Sequence, residues 1–481
     1  MVKLINRAMR SILLFLVMLV VSACQVQSWQ FNQSIATPEG IAATPLPSES
    51  QPQPTATPLI ELSNITPELT ETLETPKTVP AEDLKGLKLT LVHPWVNEAG
   101  DAFDALVAAF NQTNQPGIEV ISRREAGFEA LSQALIDGTV PDDLVLARGS
   151  DLAGVDDGTT WVNLSAVPGV EGMMQELGTC SDCKDYLDQD HLERYVTLLF
   201  QPALLFYNQT WAEELGFDQP PRTLEALQEQ MRAAAAALLE DQDYDNNGAG
   251  GVWLSMTSQS ALSWYRAFGG VFSPDDALSV FEREPIENSF SYLKDLRSTY
   301  GSWRAQNPTA YQYFVKRSAL AYEGTLEDLL PQEVAGEVAG STDQWITLPY
   351  PTIDGHGSIS LETASISIRA ADEKTEAAAA YFVRWLLNPE RLNAMVEATG
   401  LWPVGGSPRQ IAPAYAEQHP AWASALDPTV RLSVAPEAKN WGLSHLILQD
   451  AAMRVYPLDA QFIPTILDML DATLIEAGGA K

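Results

Sequence analysis

The segment "DQDYDNNGAGGVW" places oxygen-bearing side chains at alternate positions, a spacing that suits a bound cation. Asp243, Asp245 and Asn247 are followed by Gly248, as at the start of an EF-hand-type calcium loop. The twelfth position of such a loop carries a bidentate Glu, but here that position is Leu254. The same residues also fit an Asx-rich turn between a helix and a strand. Both interpretations stay open, and any calcium bound here is expected to be structural.

A second candidate motif is the C-x-x-C pair formed by Cys180 and Cys183. Such a pair can be a disulfide, a redox motif or half of a zinc site. The sequence has no second C-x-x-C pair, and its five histidines are scattered, so the other zinc ligands are missing. We favour a small disulfide, which is compatible with an extracytoplasmic location.

The third cysteine, Cys24, follows an N-terminal segment with basic residues and then an apolar core at residues 12–21. This core is about half of the roughly twenty residues that span a bilayer, so residues 1–23 are predicted to be a signal peptide. Residues 21–23, Val-Ser-Ala, resemble the lipobox of bacterial lipoproteins. The resemblance implies cleavage before Cys24 and lipid attached to its thiol, which would fix the chain to the outer face of the cell membrane. An ordinary secretory signal with a chance cysteine is the alternative.

Residues 24–85 are rich in Pro, Thr and Ser and have little periodic apolar pattern. Such a segment cannot bury enough surface to fold, so we predict a disordered tether. The whole chain has a formal net charge of −34 and a pI of about 4.3. This charge disfavours nucleic acid and anionic lipid headgroups as partners.

The sequence after the tether alternates between strand and helix patterns. The segments "GLKLTLVHPW", "GIEVISR" and "DLVLARGSDL" predict strands, and "DAFDALVAAFNQTNQ" and "GFEALSQALIDGTVPD" predict helices, the second stopped by Gly138. This order predicts a parallel sheet with helices on its faces. Ligands bind such sheets at the carboxyl ends of the strands, here residues 93–95, 123–125 and 148–152.

Two further helix starts are marked by capping residues. Asn388 precedes Pro389, which suits an N-cap followed by proline at the first helical position. Thr223 follows a proline pair and is the expected N-cap of the helix after it.

Seven short segments occur in a fixed order between about residues 87 and 406. They are "TLVHPW", "FNQTNQPGIEV", "ALIDGTVPDDLVL", "WVNLSAV", "LLFYNQTWAEELGFDQPPRTLEAL", "ALAYEGT" and "AAAAYFVRWLLNPERLNAMVEATGLWPV". Together they resemble the extracellular solute-binding proteins of ABC importers, the group that includes maltodextrin-binding proteins. Each segment is weak alone, and their number and order carry the resemblance.

This resemblance implies a periplasmic-binding-protein-like α/β fold, in which two lobes are joined by multiple hinge crossings and enclose a ligand cleft. The implied boundaries are residues 86–201 plus 363–398 for the first lobe, and residues 202–358 plus 402–478 for the second. The implied protein is no enzyme and requires no cofactor. As a monomer, it would capture a small solute by lobe closure and deliver it to the permease subunits of the importer.

Candidate ligand-binding residues come from the strand ends and from the resemblance. Trp95 ends the first strand, and Ser150 and Asp151 end the third. The resemblance adds Trp264 and Tyr265 in "SALSWYRAFGG", where the family places second-lobe contacts, Tyr322 and Glu323 in "ALAYEGT", and Trp402 in "GLWPV". Because sugar rings stack on aromatic side chains, the many aromatics favour a carbohydrate, with polyols and glycerol phosphates as other solutes of the family.

Any single tryptophan can also be a buried residue of the protein core. Trp161, Trp211 and Trp385 lie in helix or strand patterns that favour core packing, while Trp345 and Trp441 stay undecided.

Two other functions remain open from the sequence alone. One is a secreted glycoside hydrolase that uses two carboxylates, and the other is a surface lipoprotein without a transport role. The 63 acidic residues make carboxylate pairs uninformative, and no G-x-S-x-G, H-E-x-x-H or P-loop motif occurs.

Overall fold

The computed structural model describes residues 79–164, 194–271, 281–304, 309–404, 407–426, 429–435 and 441–477. The signal peptide, Cys24, most of the tether, Cys180 and Cys183 lie outside these residues, so their assignments stay predictions. Of the helices that are described, none is long and apolar enough to cross a membrane.

The described residues contain eleven strands, which we number in chain order. They are β1 (Lys88–His93), β2 (Glu119–Arg124), β3 (Leu144–Ala147), β4 (Tyr195–Asn208), β5 (Gly250–Trp253), β6 (Ser302–Trp303), β7 (Ala319–Thr325), β8 (Trp345–Leu348), β9 (Ser358–Ile368), β10 (Trp402–Pro403) and β11 (Arg431–Val434).

The α-helices are numbered in the same way. They are α1 (Asn97–Thr113), α2 (Phe128–Ile136), α3 (Gly149–Val155), α4 (Gln209–Glu214), α5 (Leu224–Glu240), α6 (Ser258–Ala267), α7 (Arg283–Ser298), α8 (Tyr311–Val315), α9 (Leu329–Ala339), α10 (Glu373–Leu386), α11 (Pro389–Thr399), α12 (Pro408–Ile411), α13 (Pro413–Gln418), α14 (Trp441–Val455) and α15 (Ile463–Ala477). Short 3-10 turns lie at Ala81–Leu84, Tyr244–Asn246, Leu326–Asp328 and Ala460–Phe462.

The fold begins earlier than the predicted end of the tether. Val79 and Leu84 are buried in the core, and the turn Ala81–Leu84 packs on α10. Lys374 of α10 lies 3.4 Å from Asp83 in an ion pair. The tether prediction through residue 85 is therefore corrected: two isolated apolar side chains fill a gap beside α10, and they show no periodic pattern in the sequence.

The first lobe is built on the predicted β-α-β-α-β order. Strand β1 pairs in parallel with both β2 and β3, and β3 pairs antiparallel with β9. The parallel sheet predicted from the sequence is therefore confirmed. Helix α2 ends before Gly138, whose φ of +66° and backbone hydrogen bond to Leu135 close the helix as expected.

Strand β4 carries the chain from the first lobe into the second. Its first part, Tyr195–Pro202, pairs with β9, and its second part, Ala203–Asn208, pairs with β7 and β8. The second lobe continues with β5, which pairs in parallel with β7, with β6, which pairs in parallel with β5, and with α5, α6 and α7. The change of partner between Pro202 and Ala203 falls one residue from the boundary implied by the resemblance.

Alternating side chains of β4 enter two hydrophobic cores. Leu204 and Phe206 join the core that continues into the first lobe, whereas Leu205 and Tyr207 pack beneath α5, α6 and α14. All residues of β4 are buried, because both faces of the sheet are covered. Strand β4 therefore contributes side chains to the cores of both lobes.

Candidate functional site

A cavity of about 850 Å³ lies between the two lobes. Its wall combines the carboxyl ends of first-lobe strands with second-lobe helix starts. The lining residues with polar or aromatic side chains are Trp95, Asn97, Phe128, Glu129, Ser132, Gln133, Arg148, Ser150, Gln201, Thr257, Ser258, Gln259, Thr325, Glu327, Glu362, Thr399, His445 and Gln449. Because amides and hydroxyls predominate among them, the cavity suits a polar solute.

Trp95 is the main aromatic residue on the first-lobe wall. Its ring packs edge-on against Phe103, with the ring centroids 5.0 Å apart. Its Nε1 is buried and has no hydrogen-bond partner among the described residues. Gly100 lets α1 approach this loop, since a Cβ there would lie 2.6 Å from the Trp95 carbonyl oxygen. The tight packing holds the indole beside the cavity while one strong donor stays unused.

The main charge on the first-lobe wall is Arg148, which follows β3. Its Nη2 donates to Glu129 Oε1 at 2.6 Å, and its Nε lies 2.7 Å from Glu362 Oε2. The guanidinium also lies over the Phe128 ring, 5.2 Å from the centroid. Burial of Glu129 favours its neutral form, but Arg148 outweighs this effect and holds its pKa below the usual range. Arg148 is thus neutralised by its own protein partners.

The second lobe contributes Glu327, which lies in the turn Leu326–Asp328. This turn is held by Asp328, whose carboxylate accepts from Thr325 N at 2.7 Å. The Glu327 carboxylate itself has no hydrogen bond or ion pair within the described structure, and its side chain is exposed to the cavity. Protein surrounds it closely enough that desolvation, followed by repulsion from Asp328, raises its pKa to about 7.

His445 faces the cavity from α14 and stays neutral near pH 7. Its Nδ1 lies 3.0 Å from the Trp441 carbonyl oxygen. Desolvation lowers the His445 pKa below its ordinary value, although Glu362 opposes this shift. The acidic and guanidinium side chains among the described lining residues are therefore Glu129, Glu362, Glu327 and Arg148.

Comparison with known proteins agrees with this architecture. Residues 105–419, more than half of the chain, match the family model described as bacterial extracellular solute-binding protein. The chain belongs to this family. No curated protein sequence matched it.

Solved structures show the same fold as this solute-binding protein. The cyclic alpha-maltosyl-1,6-maltose binding protein of Arthrobacter globiformis superposes with a TM-score of 0.64 at 17% identity, covering 82% of this chain and 99% of the other. The GacH receptor of Streptomyces glaucescens has a TM-score of 0.62 at 14% identity, covering 82% and 100%. The sugar-binding protein MalE of Xanthomonas citri has a TM-score of 0.62 at 16% identity, covering 81% and 97%. At these identities the likeness shows the fold alone.

The structure of this solute-binding protein brings two of the predicted ligand-binding residues to the cavity. Trp95 and Ser150 both line it. Asp151 is the next residue along α3 but does not line the cavity: its Oδ1 accepts from Ser132 Oγ at 2.9 Å, and its Oδ2 is buried without a partner among the described residues. Desolvation raises the Asp151 pKa to about 6.

Tyr322 and Glu323 line a smaller cavity of about 190 Å³ in the second lobe. This smaller cavity shares Thr257, Gln259 and Thr325 with the interlobe cavity. The Tyr322 ring stacks on Phe206, with centroids 4.5 Å apart. Both predicted residues thus lie beside the interlobe cavity, one layer behind its wall.

Three predicted ligand-binding residues lie in the core, and we correct their assignment. Trp264 is fully buried and donates from Nε1 to Glu323 Oε1 at 2.6 Å. Tyr265 is also fully buried, and its hydroxyl donates to the Val271 carbonyl oxygen. Trp402 lies in β10 and donates to the Trp422 carbonyl oxygen. Since these side chains already bond within the protein and line neither of the two cavities described above, we do not propose them as solute contacts.

The remaining tryptophans fall largely where the sequence patterns placed them. Trp161, Trp211 and Trp385 are buried as predicted, and of the undecided pair Trp441 is buried whereas Trp345 is partly exposed.

The calcium motif forms an exposed turn. Asp243 Oδ1 accepts from Asp245 N at 3.0 Å, as in an Asx turn. Within the described ranges, no group of three or more His, Cys, Asp or Glu side chains is placed to hold a metal ion. The calcium site therefore stays a prediction that no contact in the structure supports.

Sequence reasoning missed the charged residues of the cavity. Arg148 could have been found, because it directly follows β3 in a segment already marked as a strand end. Glu129, Glu327 and Glu362 carried no signal, since they are three of 63 acidic residues and lie far apart in the chain.

Proposed function

We propose that this solute-binding protein is the lipid-anchored receptor of an ABC importer. It captures a polar solute, of which a carbohydrate is our first candidate, and delivers it to the permease without chemical change. The observation that carries the proposal is the cavity between the lobes, whose polar wall is built from both of them. A solute that contacts both walls binds the closed form better than the open form, and this difference drives closure.

The chemistry of the cavity supports a polyhydroxylated solute. Amide side chains donate and accept hydrogen bonds in the pattern that sugar hydroxyls require, and Trp95 adds an apolar surface for a ring. The names of structural neighbours, which refer to maltose derivatives, acarbose and sugar, point in the same direction. Few aromatics line the cavity, so hydrogen bonding contributes more to recognition than stacking does.

A thermal-shift screen of the full chain against mono- and oligosaccharides, polyols and peptides tests this function. Ligand at a hundred times its Kd stabilises the folded state by about 2.7 kcal/mol, which is a measurable shift. We expect one sugar class to raise Tm and to be recovered unchanged after incubation. Recovery of a cleaved sugar would indicate a hydrolase instead, and a peptide as the sole hit would overturn the carbohydrate assignment.

Lipid attachment at Cys24 is the second part of the proposal, supported by the lipobox-like residues before it. Growth of the bacterial host with a labelled fatty acid should label the wild-type chain and leave Cys24→Ser unlabelled. Equal labelling of both chains, or of neither, would contradict the anchor.

A further inference from the structure

The charges that line the interlobe cavity do not balance. Glu129, Glu362 and Glu327 supply three carboxylates, whereas Arg148 supplies the single guanidinium and His445 is neutral near pH 7. The described wall therefore carries excess negative charge. Within a cleft of low dielectric, such an excess attracts cations and repels anionic solutes.

Arg148 is not free to serve an anionic solute. Its guanidinium is already shared by Glu129 on α2 and Glu362 on β9, and its side chain is only 17% exposed. A phosphate or carboxylate bound to Arg148 would have to displace one of these carboxylates and leave it unpaired. This exchange is unfavourable at Glu362, whose side chain is only 17% exposed and would be left as an unpaired, largely buried charge.

Glu327, unlike Arg148, is available to pair with a solute. It lies on the second-lobe wall and is the lining carboxylate that has no hydrogen bond or ion pair among the described residues. The charged groups that face it are Arg148, Glu129 and Glu362 from three other elements, and Asp328 beside it in its own turn. Three of these four neighbours are carboxylates, so Glu327 lacks a counter-ion that the protein could have supplied.

An independent feature of the same cavity points to a solute. Trp95 lines the wall on the first-lobe side and is 5% exposed, and its Nε1 has no hydrogen-bond partner in the described structure. A buried indole N–H normally has an acceptor. A hydroxyl oxygen of a bound solute would supply that acceptor.

We infer that the solute carries a protonated amine on a polyhydroxylated frame, as in an amino sugar, and that Glu327 is the counter-ion of its ammonium group. This inference rests on the proposed function and sharpens it. The hydroxyls meet the amide and hydroxyl side chains of the wall, while the ammonium group meets Glu327, the lining carboxylate that has no partner among the described residues.

The ionisation of Glu327 provides a signature of this contact. Its pKa of about 7 leaves the free carboxyl partly protonated at neutral pH. An ammonium group stabilises the ionised form and lowers that pKa, so binding at pH 7 releases part of a proton from Glu327. A neutral sugar would not favour the ionised form in this way.

Isothermal titration of the full chain with two matched disaccharides tests the inference. The β-1,4-linked glucosamine disaccharide and cellobiose share a backbone and differ in having an amine or a hydroxyl at position 2 of each ring. We expect the amine-bearing probe to bind at least about tenfold more tightly to the wild type, as a charge-assisted hydrogen bond is worth. Repeating the titration in buffers of different ionisation enthalpy measures the proton release.

The variant Glu327→Gln removes the proposed counter-ion, and Glu337→Gln is its matched control. Glu337 is an exposed residue of α9 outside the interlobe cavity, so its substitution makes the same change in net charge. We expect Glu327→Gln to weaken binding of the amine-bearing probe about 10- to 100-fold and to abolish proton release, and Glu337→Gln to do neither.

The outcomes separate this inference from the proposed function. If cellobiose binds as tightly as the amine-bearing probe, or both variants weaken binding equally, the inference is wrong while carbohydrate binding stands. Spermidine, a polyamine without hydroxyl groups, serves as a third probe. If it binds the wild type but not Glu327→Gln, and neither sugar binds, the cationic group is supported but the carbohydrate assignment fails. If no amine-bearing probe binds, the inference is overturned, and the wider screen decides the function.

Discussion

Glu323 and Glu327 lie in the same strand-and-turn segment of the second lobe, yet the hydrogen bonding of their carboxylates differs. The Glu323 carboxylate is 2% exposed and accepts from Trp264 Nε1, Ser260 Oγ, Ser255 N, Ser255 Oγ and Met256 N at 2.6 to 3.3 Å. The Glu327 carboxylate accepts from no group of the described residues and faces the interlobe cavity.

This difference separates a structural carboxylate from one that is available to a solute. Every donor around Glu323 belongs to the protein, so removing the Glu323 carboxylate leaves buried donors without an acceptor. Glu327 has no such donors, so its removal should change ligand binding and leave the fold intact. The hydrogen-bond donors around a carboxylate therefore indicate its role better than its position in a family segment does.

The largest expected effect comes from changing Glu323. In Glu323→Gln, an amide NH₂ group meets donors such as Trp264 Nε1 and Ser255 N, and the charge that they stabilise is lost. We expect a loss of about 3–5 kcal/mol in unfolding free energy, measured by urea denaturation. Glu327→Gln is the matched substitution and should not lower stability, because it removes a carboxylate whose pKa is raised by desolvation and breaks no hydrogen bond to the described residues. Similar losses of unfolding free energy in both variants would contradict the different roles assigned to the two carboxylates.

Asp151 is an intermediate case, because Ser132 bonds one of its oxygens and the other is buried without a partner in the described residues. Its folded-state pKa of about 6 lies above the unfolded value of about 3.9. The folded state therefore binds the proton more tightly, and this contribution to stability is full below about pH 4 and is lost as pH rises through 6.

Substitution of Asp151 by asparagine should remove this pH dependence. The variant keeps an acceptor for Ser132 but cannot ionise, so it should match the wild type near pH 3.5 and exceed it by up to about 3 kcal/mol at pH 8. Urea denaturation at both values measures the difference. A constant difference between variant and wild type across this range would refute the buried, titrating carboxylate.

Two tryptophans extend the same comparison to hydrogen-bond donors. Trp264→Phe deletes the donor to Glu323 in the core, so we expect a loss of about 2 kcal/mol in unfolding free energy. Trp95→Phe deletes a donor without a protein partner among the described residues, so stability should change by less than about 1 kcal/mol while solute affinity falls. If Trp264→Phe lowered solute affinity and Trp95→Phe lowered stability instead, the solute site would lie near Trp264. Trp264→Phe therefore serves as the control for the affinity measurement.

The smallest expected effect concerns calcium. The turn at residues 243–247 is closed by its own Asx hydrogen bonds, and no third His, Cys, Asp or Glu side chain of the described chain completes a metal site. We expect millimolar calcium to leave Tm unchanged relative to EDTA. A clear rise in Tm that Asp243→Asn abolishes would establish the site instead.

Local patterns in the sequence predicted much of the fold. The parallel pairing of β1, β2 and β3 follows from alternating strand and helix segments. The predicted N-caps are also confirmed: Thr223 Oγ1 accepts from Ala226 N at 3.2 Å, and Asn388 Oδ1 accepts from Glu390 N at 2.9 Å. These features depend on neighbouring residues alone, which is why single-sequence reasoning reaches them.

The candidate site was harder to predict, because it depends on contacts between distant residues. Trp264 and Trp95 look alike in the sequence, yet only the folded chain shows that Glu323 takes the indole N–H of one and nothing in the described structure takes that of the other. The pairing of Arg148 with Glu362 joins residues from different ends of the first lobe. Residue type therefore suggested aromatic recognition, whereas most of the described side chains that line the cavity are amides, hydroxyls and charged groups.

The most direct test of the central claim, that the interlobe cavity holds the solute, is a calorimetric titration of the strongest screening hit against a cavity-filling variant. Ser258 lines the cavity at the start of α6, whereas Ser298 is exposed at the end of α7 and does not line it. Ser258→Trp should abolish binding at a Tm close to that of the wild type, and Ser298→Trp should bind as the wild type does. Full affinity in Ser258→Trp would contradict the account and place the solute elsewhere.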